Sequence, residues 1–191
     1  IYKDGNDIYL YPENSKSGIC LLYKYNPTDD SCIKKNLLID SPVKDSIIFK
    51  FKEIPFIFTT TDPDGNKNRV DIYTSSAWNV KYEFHSSVSL SNNSARSAGD
   101  IFKIGDKLIR PAQDCNTIYG GGLIFQEVKY EKGNFSFREI KKMYPKNKKH
   151  IGMHTFNKYN DSAVLDFKRY KYPVLLKLVN SLKKIIKKVI L

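Results

Sequence analysis

The chain alternates between short apolar runs and polar breaks. Runs of about four to eight residues, rich in β-branched and aromatic side chains, recur at Ile8–Tyr11, Ile19–Tyr25, Ser46–Phe51, Phe56–Thr60, Val70–Thr74, Asp100–Lys103, Lys107–Arg110, Leu123–Tyr130 and Ser162–Phe167. Runs of that length and composition predict β-strands. Turn-forming residues separate them, as at Asp4-Gly5-Asn6, Asp62-Pro63-Asp64-Gly65-Asn66, Ile104-Gly105-Asp106 and Tyr159-Asn160-Asp161. No helical period precedes residue 173. From Pro173 the spacing changes, and Leu175, Leu178, Val179, Leu182, Ile185, Ile186, Val189 and Ile190 fall on one face at i, i+3, i+4, i+7. Lys177, Lys183, Lys184, Lys187 and Lys188 fall on the other. An amphipathic helix is therefore predicted over Pro173–Leu191, with Pro173 suited to its first position.

Aligning the strand segments exposes a repeat. One unit runs Asp45–Phe49, Pro55–Thr61, Val70–Tyr73; the next runs Arg96–Phe102, Lys107–Asp114, Gly122–Val128. Ile1-Tyr2, Asp7–Glu13 and Gly18–Tyr25 repeat that order upstream, and His154–Phe156 with Ser162–Asp166 restart it downstream. Asp45 to Arg96 is 51 residues and Arg96 to His154 is 58. A period of about 50 residues with about four strands per unit predicts propeller blades. A β-sandwich needs no such register. About three and a half units are present, so the expectation is an all-β, partial five-bladed propeller over residues 1–170. Its N-terminal blade and a half would lie in a longer protein, and the C-terminal helix would occupy 171–191.

Composition narrows the function classes. At 191 residues and 41% hydrophobic, the chain can build a core. The net charge of +12 suggests nucleic acid until it is located. Residues 129–191 hold 17 Lys/Arg against 4 Asp/Glu, whereas residues 1–128 hold 15 against 16. The excess is mostly lysine and ends in a lysine-rich tail, unlike the arginine and aromatic face of a nucleic-acid binder. No nucleic-acid partner is expected. His85, His150, His154 and the three cysteines lack zinc-ligand spacing, so no metal or cofactor is expected. Tyr119-Gly120-Gly121-Gly122 precedes a strand and lacks the lysine of a phosphate loop, so it reads as a tight turn. Cys115 has no positioned base near it in sequence. Cys20 and Cys32 are placed to face each other across a hairpin, as reduced thiols.

Several motifs carry a family resemblance. They are Leu108-Ile109-Arg110-Pro111-Ala112-Gln113-Asp114-Cys115 with Tyr119-Gly120 and Glu127-Val128, and Gly152-Met153-His154-Thr155-Phe156-Asn157 with Val164-Leu165-Asp166. Tyr11-Pro12-Glu13 and Ser94–Gly99 add to them. Together they resemble the N-terminal five-bladed propeller domain of plant glucosamine inositolphosphorylceramide transferases and its homologues in bacterial polysaccharide assembly. That domain is similar in fold to arabinanases, invertases and levansucrases. The resemblance implies a carbohydrate-active role in glycan assembly, with a sugar or sugar phosphate in a central funnel and a transferase domain as neighbour. Propeller hydrolases of this kind carry one catalytic carboxylate in the first blade, so these 191 residues would lack a full catalytic set.

Within the repeat, Asp45, Arg96 and His154 occupy the same place at the start of three successive innermost strands. Glu13, Asp114 and Asp166 end the second strands of their units. If the domain is hydrolytic, two carboxylates must flank a glycosidic bond, one as acid and one ionised. Glu13 and Asp45 are the expected pair, with Asp114 and Asp166 in reserve. Arg96, Arg110, Gln113, Tyr119 and His154 would hold substrate, the arginines gripping a carboxylate or phosphate. Structural alternatives stand beside these roles: an Arg110–Asp114 pair inside a turn, Gln113 tying down backbone, Glu13 in an exposed turn, His154 packed and satisfied. A non-catalytic glycan-binding or docking module fits the same residues. The basic tail Pro173–Leu191 suits peripheral attachment to an anionic cytoplasmic membrane surface, the alternative being a helix that packs its apolar face onto the propeller or a partner domain.

Overall fold

A computed structural model describes residues 1–13, 15–61, 68–147 and 149–172. The predicted helix over Pro173–Leu191 lies outside the described residues. What is described is all-β apart from a 3-10 turn at Ser15–Ser17. Among the described residues no helix is long and apolar enough to cross a membrane.

Three four-stranded antiparallel sheets follow one another along the chain, each with its strands in sequence order. The first holds β1 (Tyr2–Asp4), β2 (Asp7–Leu10), β3 (Cys20–Asn26) and β4 (Ser31–Ile39). The second holds β5 (Val43–Phe51), β6 (Ile54–Thr61), β7 (Arg69–Thr74) and β8 (Glu83–Ser89). The third holds β9 (Phe102–Ile104), β10 (Lys107–Asp114), β11 (Gly122–Glu131) and β12 (Asn134–Met143). Its first strand is interrupted: upstream of β9, Ser97 bridges Ala112 of β10. The chain continues through β13 (His150–Gly152), β14 (Phe156–Tyr159), β15 (Ser162–Leu165) and β16 (Lys168–Arg169). There β14 pairs β15 and β13 pairs β16. The sheets are separate sets and form no closed barrel.

Period-2 alternation explains how they stack. Ile48 and Ile57 turn one way and pack with Leu22, Leu38 and Ile39 of the first sheet and with Trp78 and Tyr82. Their neighbours Ile47, Phe56 and Phe58 turn the other way and pack with Val128 and Phe135 of the third sheet. The third sheet's Ile109, Leu123 and Phe125 in turn pack with Met153, Phe156 and Leu165. The second and third sheets are thus covered on both faces. Cys20 and Cys32 do not face each other as expected. Cys20 sits opposite Ile39 and Cys32 opposite Tyr25, because the β3–β4 hairpin turns at its far end. All three cysteines are free thiols.

Candidate functional site

One end of these sheets gathers polar side chains from four consecutive units. Asp45 sits in β5 where the ladder to β6 slips between Lys44 and Ile47, and its φ is 49°. Asp tolerates this left-handed conformation better than most residues, and the bulge turns its side chain out of the strand alternation. Its Oδ2 accepts from Arg96 Nε. Both side chains are largely buried, at 15% and 21% exposure. Burial works against the Arg96 charge, but the bond and charge of Asp45 outweigh it and raise the guanidinium pKa. Glu13, at the end of the segment after β2, accepts from the Asp45 backbone N–H at 3.2 Å.

The Arg96 guanidinium also lies over the Tyr119 ring, 4.8 Å from its centroid. Tyr119 OH meets His154 Nε2 at 2.7 Å, and His154 Nδ1 is 3.7 Å from Asp166 Oδ2. Asp166 Oδ1 accepts from the backbone N–H groups of His154 (2.8 Å) and Thr155 (2.6 Å). Burial raises the Tyr119 phenol pKa while the Arg96 charge opposes that shift. A continuous path therefore runs Glu13–Asp45–Arg96–Tyr119–His154–Asp166, through residues far apart in sequence.

Two glycines permit this convergence. A Cβ on Gly152 would overlap the Gly120 carbonyl oxygen, so only glycine lets the segment before His154 lie against the turn carrying Tyr119. Gly99 has φ 146°, and a Cβ there would overlap the Phe156 carbonyl oxygen. Next to it, Phe156 N–H donates to Ala98 C=O at 2.6 Å, docking β14 on the first strand of the third sheet.

Other expected site residues lie elsewhere. Arg110 is fully buried (0% exposed), away from the path. Its Nη1 donates to Ser94 C=O (3.2 Å) and Gln126 Oε1 (2.6 Å), and its Nη2 to Ala95 C=O and to Ser97 Oγ (3.2 Å). Burial lowers its pKa, but the guanidinium remains charged. The alternative of an Arg110–Asp114 pair does not form among the described residues either. Asp114 is buried and accepts from Tyr144 OH (2.6 Å) and from Asn116 N–H and Nδ2 (3.0 and 2.7 Å), so it serves the β10–β11 connection and stands outside the path. Burial pushes its carboxyl pKa up, but these hydrogen bonds win and the net shift is downward. Gln113 donates through Nε2 to Ser97 C=O at 3.0 Å. Its Oε1 is buried with no hydrogen-bond partner among the described residues.

Two cavities flank His154. One, of about 250 Å³, is walled by Tyr11, Asp45, Ser97, Asp100, Gln113 and His154 among others. The second, of about 280 Å³, lies between Tyr119, His154, Asp166, Phe167 and Lys168. Sequence reasoning missed Tyr11 and Asp100. No set of three or more metal-ligating side chains converges among the described residues.

The class so defined is an all-β domain of stacked four-stranded antiparallel sheets that joins polar residues from successive repeats at one end. The chain belongs to the family described as glucosamine inositolphosphorylceramide transferase 1, N-terminal, whose model matches residues 1–175. Two relatives named glucosamine inositolphosphorylceramide transferase 1, from Oryza sativa subsp. japonica and subsp. indica, are each 28% identical over 130 residues. Those segments cover 63% of this chain and 17% of each relative. The chain thus spans only a small part of the curated relatives it matches.

Proposed function

We propose that this chain is a glycan-handling domain that works beside a transferase in glycan assembly, its sheets being blades of a five-bladed propeller. A saccharide or sugar phosphate is held at the Glu13–Asp45–Arg96–Tyr119–His154–Asp166 path. The observation that carries this reading is the junction itself: equivalent positions of successive repeats meet beside two cavities. The relatives' names supply the transferase context and name glucosamine and an inositolphosphorylceramide. A basic tail on an anionic cytoplasmic leaflet would keep the domain beside such a substrate.

Binding is favoured over hydrolysis. Asp45 accepts from Arg96, Asp166 from two backbone N–H groups and Glu13 from the Asp45 N–H. All three carboxylates are thus occupied by donors of the protein itself. The test is saccharide binding by the full chain, followed by saturation-transfer NMR on a panel of mono- and disaccharides and sugar phosphates. Arg96→Met should weaken the bound member at least tenfold. Glu13→Gln and Asp45→Asn separate the roles: turnover lost with affinity kept would make it an enzyme. Absence of binding across the panel would sink the reading.

A further inference from the structure

We infer that the folded domain, and not only its tail, has a face that lies on an anionic phospholipid surface. That face is formed by the end of β12, the connection to β13, and β16 with the residues around it. The inference rests on the membrane reading above and adds that the second cavity borders the lipid.

The observation is where the charge falls. Ile140–His150 and Phe167–Tyr172 together hold eight Lys/Arg and no Asp or Glu. The β13–β16 ladder joins the two segments, with His150 opposite Arg169 and Gly152 opposite Lys168. His150 also stacks on Phe167, with ring centroids 4.6 Å apart. Every described cation of the two segments is exposed. Lys142 meets Glu139 at 3.3 Å, whereas Lys141, Lys146, Lys149, Lys168, Arg169 and Lys171 form no ion pair among the described residues. Asp166, at the border, is held by the backbone N–H groups of His154 and Thr155. Lysines on an edge strand also keep it from pairing with another chain. That accounts for Lys141 and Lys142 on the edge strand β12, but not for a patch drawn from three segments and cleared of acids.

The rings among these cations favour lipid over other polyanions. Phe167, Tyr170 and Tyr172 are 46%, 46% and 61% exposed. At a bilayer interface tyrosine buries its ring and keeps its hydroxyl wet, while lysine reaches the phosphates. The chain then runs directly from Tyr172 into the alternating lysine and apolar positions of Pro173–Leu191. A nucleic acid has no use for that apolar face. Seven of the eight cations are lysines, not the arginines that grip phosphate bidentately. Phe167 and Lys168 also wall the second cavity, with Tyr119 and His154. A saccharide carried on a lipid in that leaflet would meet the cavity from this side.

The experiment is co-sedimentation of the full chain, tail intact, with vesicles of phosphatidylserine and phosphatidylcholine, and of phosphatidylcholine alone. Binding to the mixed vesicles is expected, and none to the neutral ones. The triple variant Lys141→Ser, Lys146→Ser, Lys149→Ser should bind at least tenfold more weakly, since one lysine near an anionic leaflet is worth about fivefold. Removing the same charge at Lys34, Lys35 and Lys50, exposed on the first two sheets, should change binding less than about twofold, because charges far from the lipid are screened. Arginine at positions 141, 146 and 149 should restore wild-type binding, which separates lost charge from a damaged fold. Equal losses from the two triple variants, or no loss from the first, overturn the inference and leave the tail as the anchor. Equal binding to neutral vesicles overturns it as well. So does single-stranded DNA bound more tightly than the mixed vesicles through the same lysines. A wild-type chain that sediments with neither vesicle removes both the inference and the membrane reading.

Discussion

Arg96, in the irregular segment before β9, and Arg110, in β10 beside it, do opposite things. Arg110 is sealed between sheets, its two terminal nitrogens spent on Ser94, Ala95, Ser97 and Gln126, with the Phe137 ring 5.3 Å from its guanidinium carbon. It ties β10 and β11 to the irregular segment before β9. Arg96 meets one carboxylate and one ring at the junction of the second and third sheets, beside a cavity. Residue type does not distinguish them. What does is the partner set: backbone carbonyls and neutral side chains around Arg110, titratable and exposed groups around Arg96. A cation held by the main chain organises the fold, and one held by a carboxylate at a cavity edge organises a site.

Deleting each should therefore fail in a different measurement. Arg110→Met leaves buried carbonyls and Gln126 without their donor and should cost about 3–5 kcal/mol in urea denaturation, the range for breaking a buried polar network. Arg96→Met should cost less, about 1.5–3 kcal/mol, as for one hydrogen bond to a charged group lost. Equal costs would erase the distinction. The next effect in size is local. Gly152→Ala forces the segment before His154 away from Gly120, at about 1–3 kcal/mol for an overpacked contact. Hydrogen exchange should quicken at residues 118–122 and 150–156 and stay unchanged in β5–β7. Uniform loss of protection would mean that the junction is part of the global core.

The same contrast explains what could be read from the sequence. The central strands of the second and third sheets were most legible because they are covered on both faces, so β-branched and aromatic residues crowd them, as in Phe56–Phe58. The fourth strands β4, β8 and β12 escaped as segments. Residues such as Lys34, Lys35 and Asn36 leave them largely exposed, and the apolar period is gone. Repeat equivalence brought Asp45, Arg96 and His154 to one place, since equivalent positions of stacked units are neighbours. It could not give depth. Arg110 and Gln113 face inward because β10 is buried along nearly its whole length, and no spacing in the sequence distinguishes an inward arginine from one at a cavity. The bulge at Asp45 and the walls contributed by Tyr11 and Asp100 depend on how the sheets meet, which no single segment encodes.

The smallest effect tests which side of the contrast Asp114 belongs to. Its carboxylate is held by Tyr144 and Asn116, and Tyr144 is in turn pushed up to about 12, first by that hydrogen bond and then by burial. The phenol therefore stays a donor throughout the stable pH range. Because the net shift lowers the folded-state pKa of Asp114, its contribution to stability is present above the unfolded value of about 3.9 and is lost as pH falls through the lower folded value. Tyr144→Phe removes one donor to that charge and should cost about 1–2 kcal/mol at pH 7. The gap from wild type should narrow as pH falls below about 4, because the carboxyl then protonates in both proteins. Urea denaturation at pH 7, 5 and 3 measures it, with saccharide affinity expected to stay unchanged. A variant as stable as wild type but weaker in saccharide binding would move Asp114 from the structural side, with Arg110, to the site side, with Arg96.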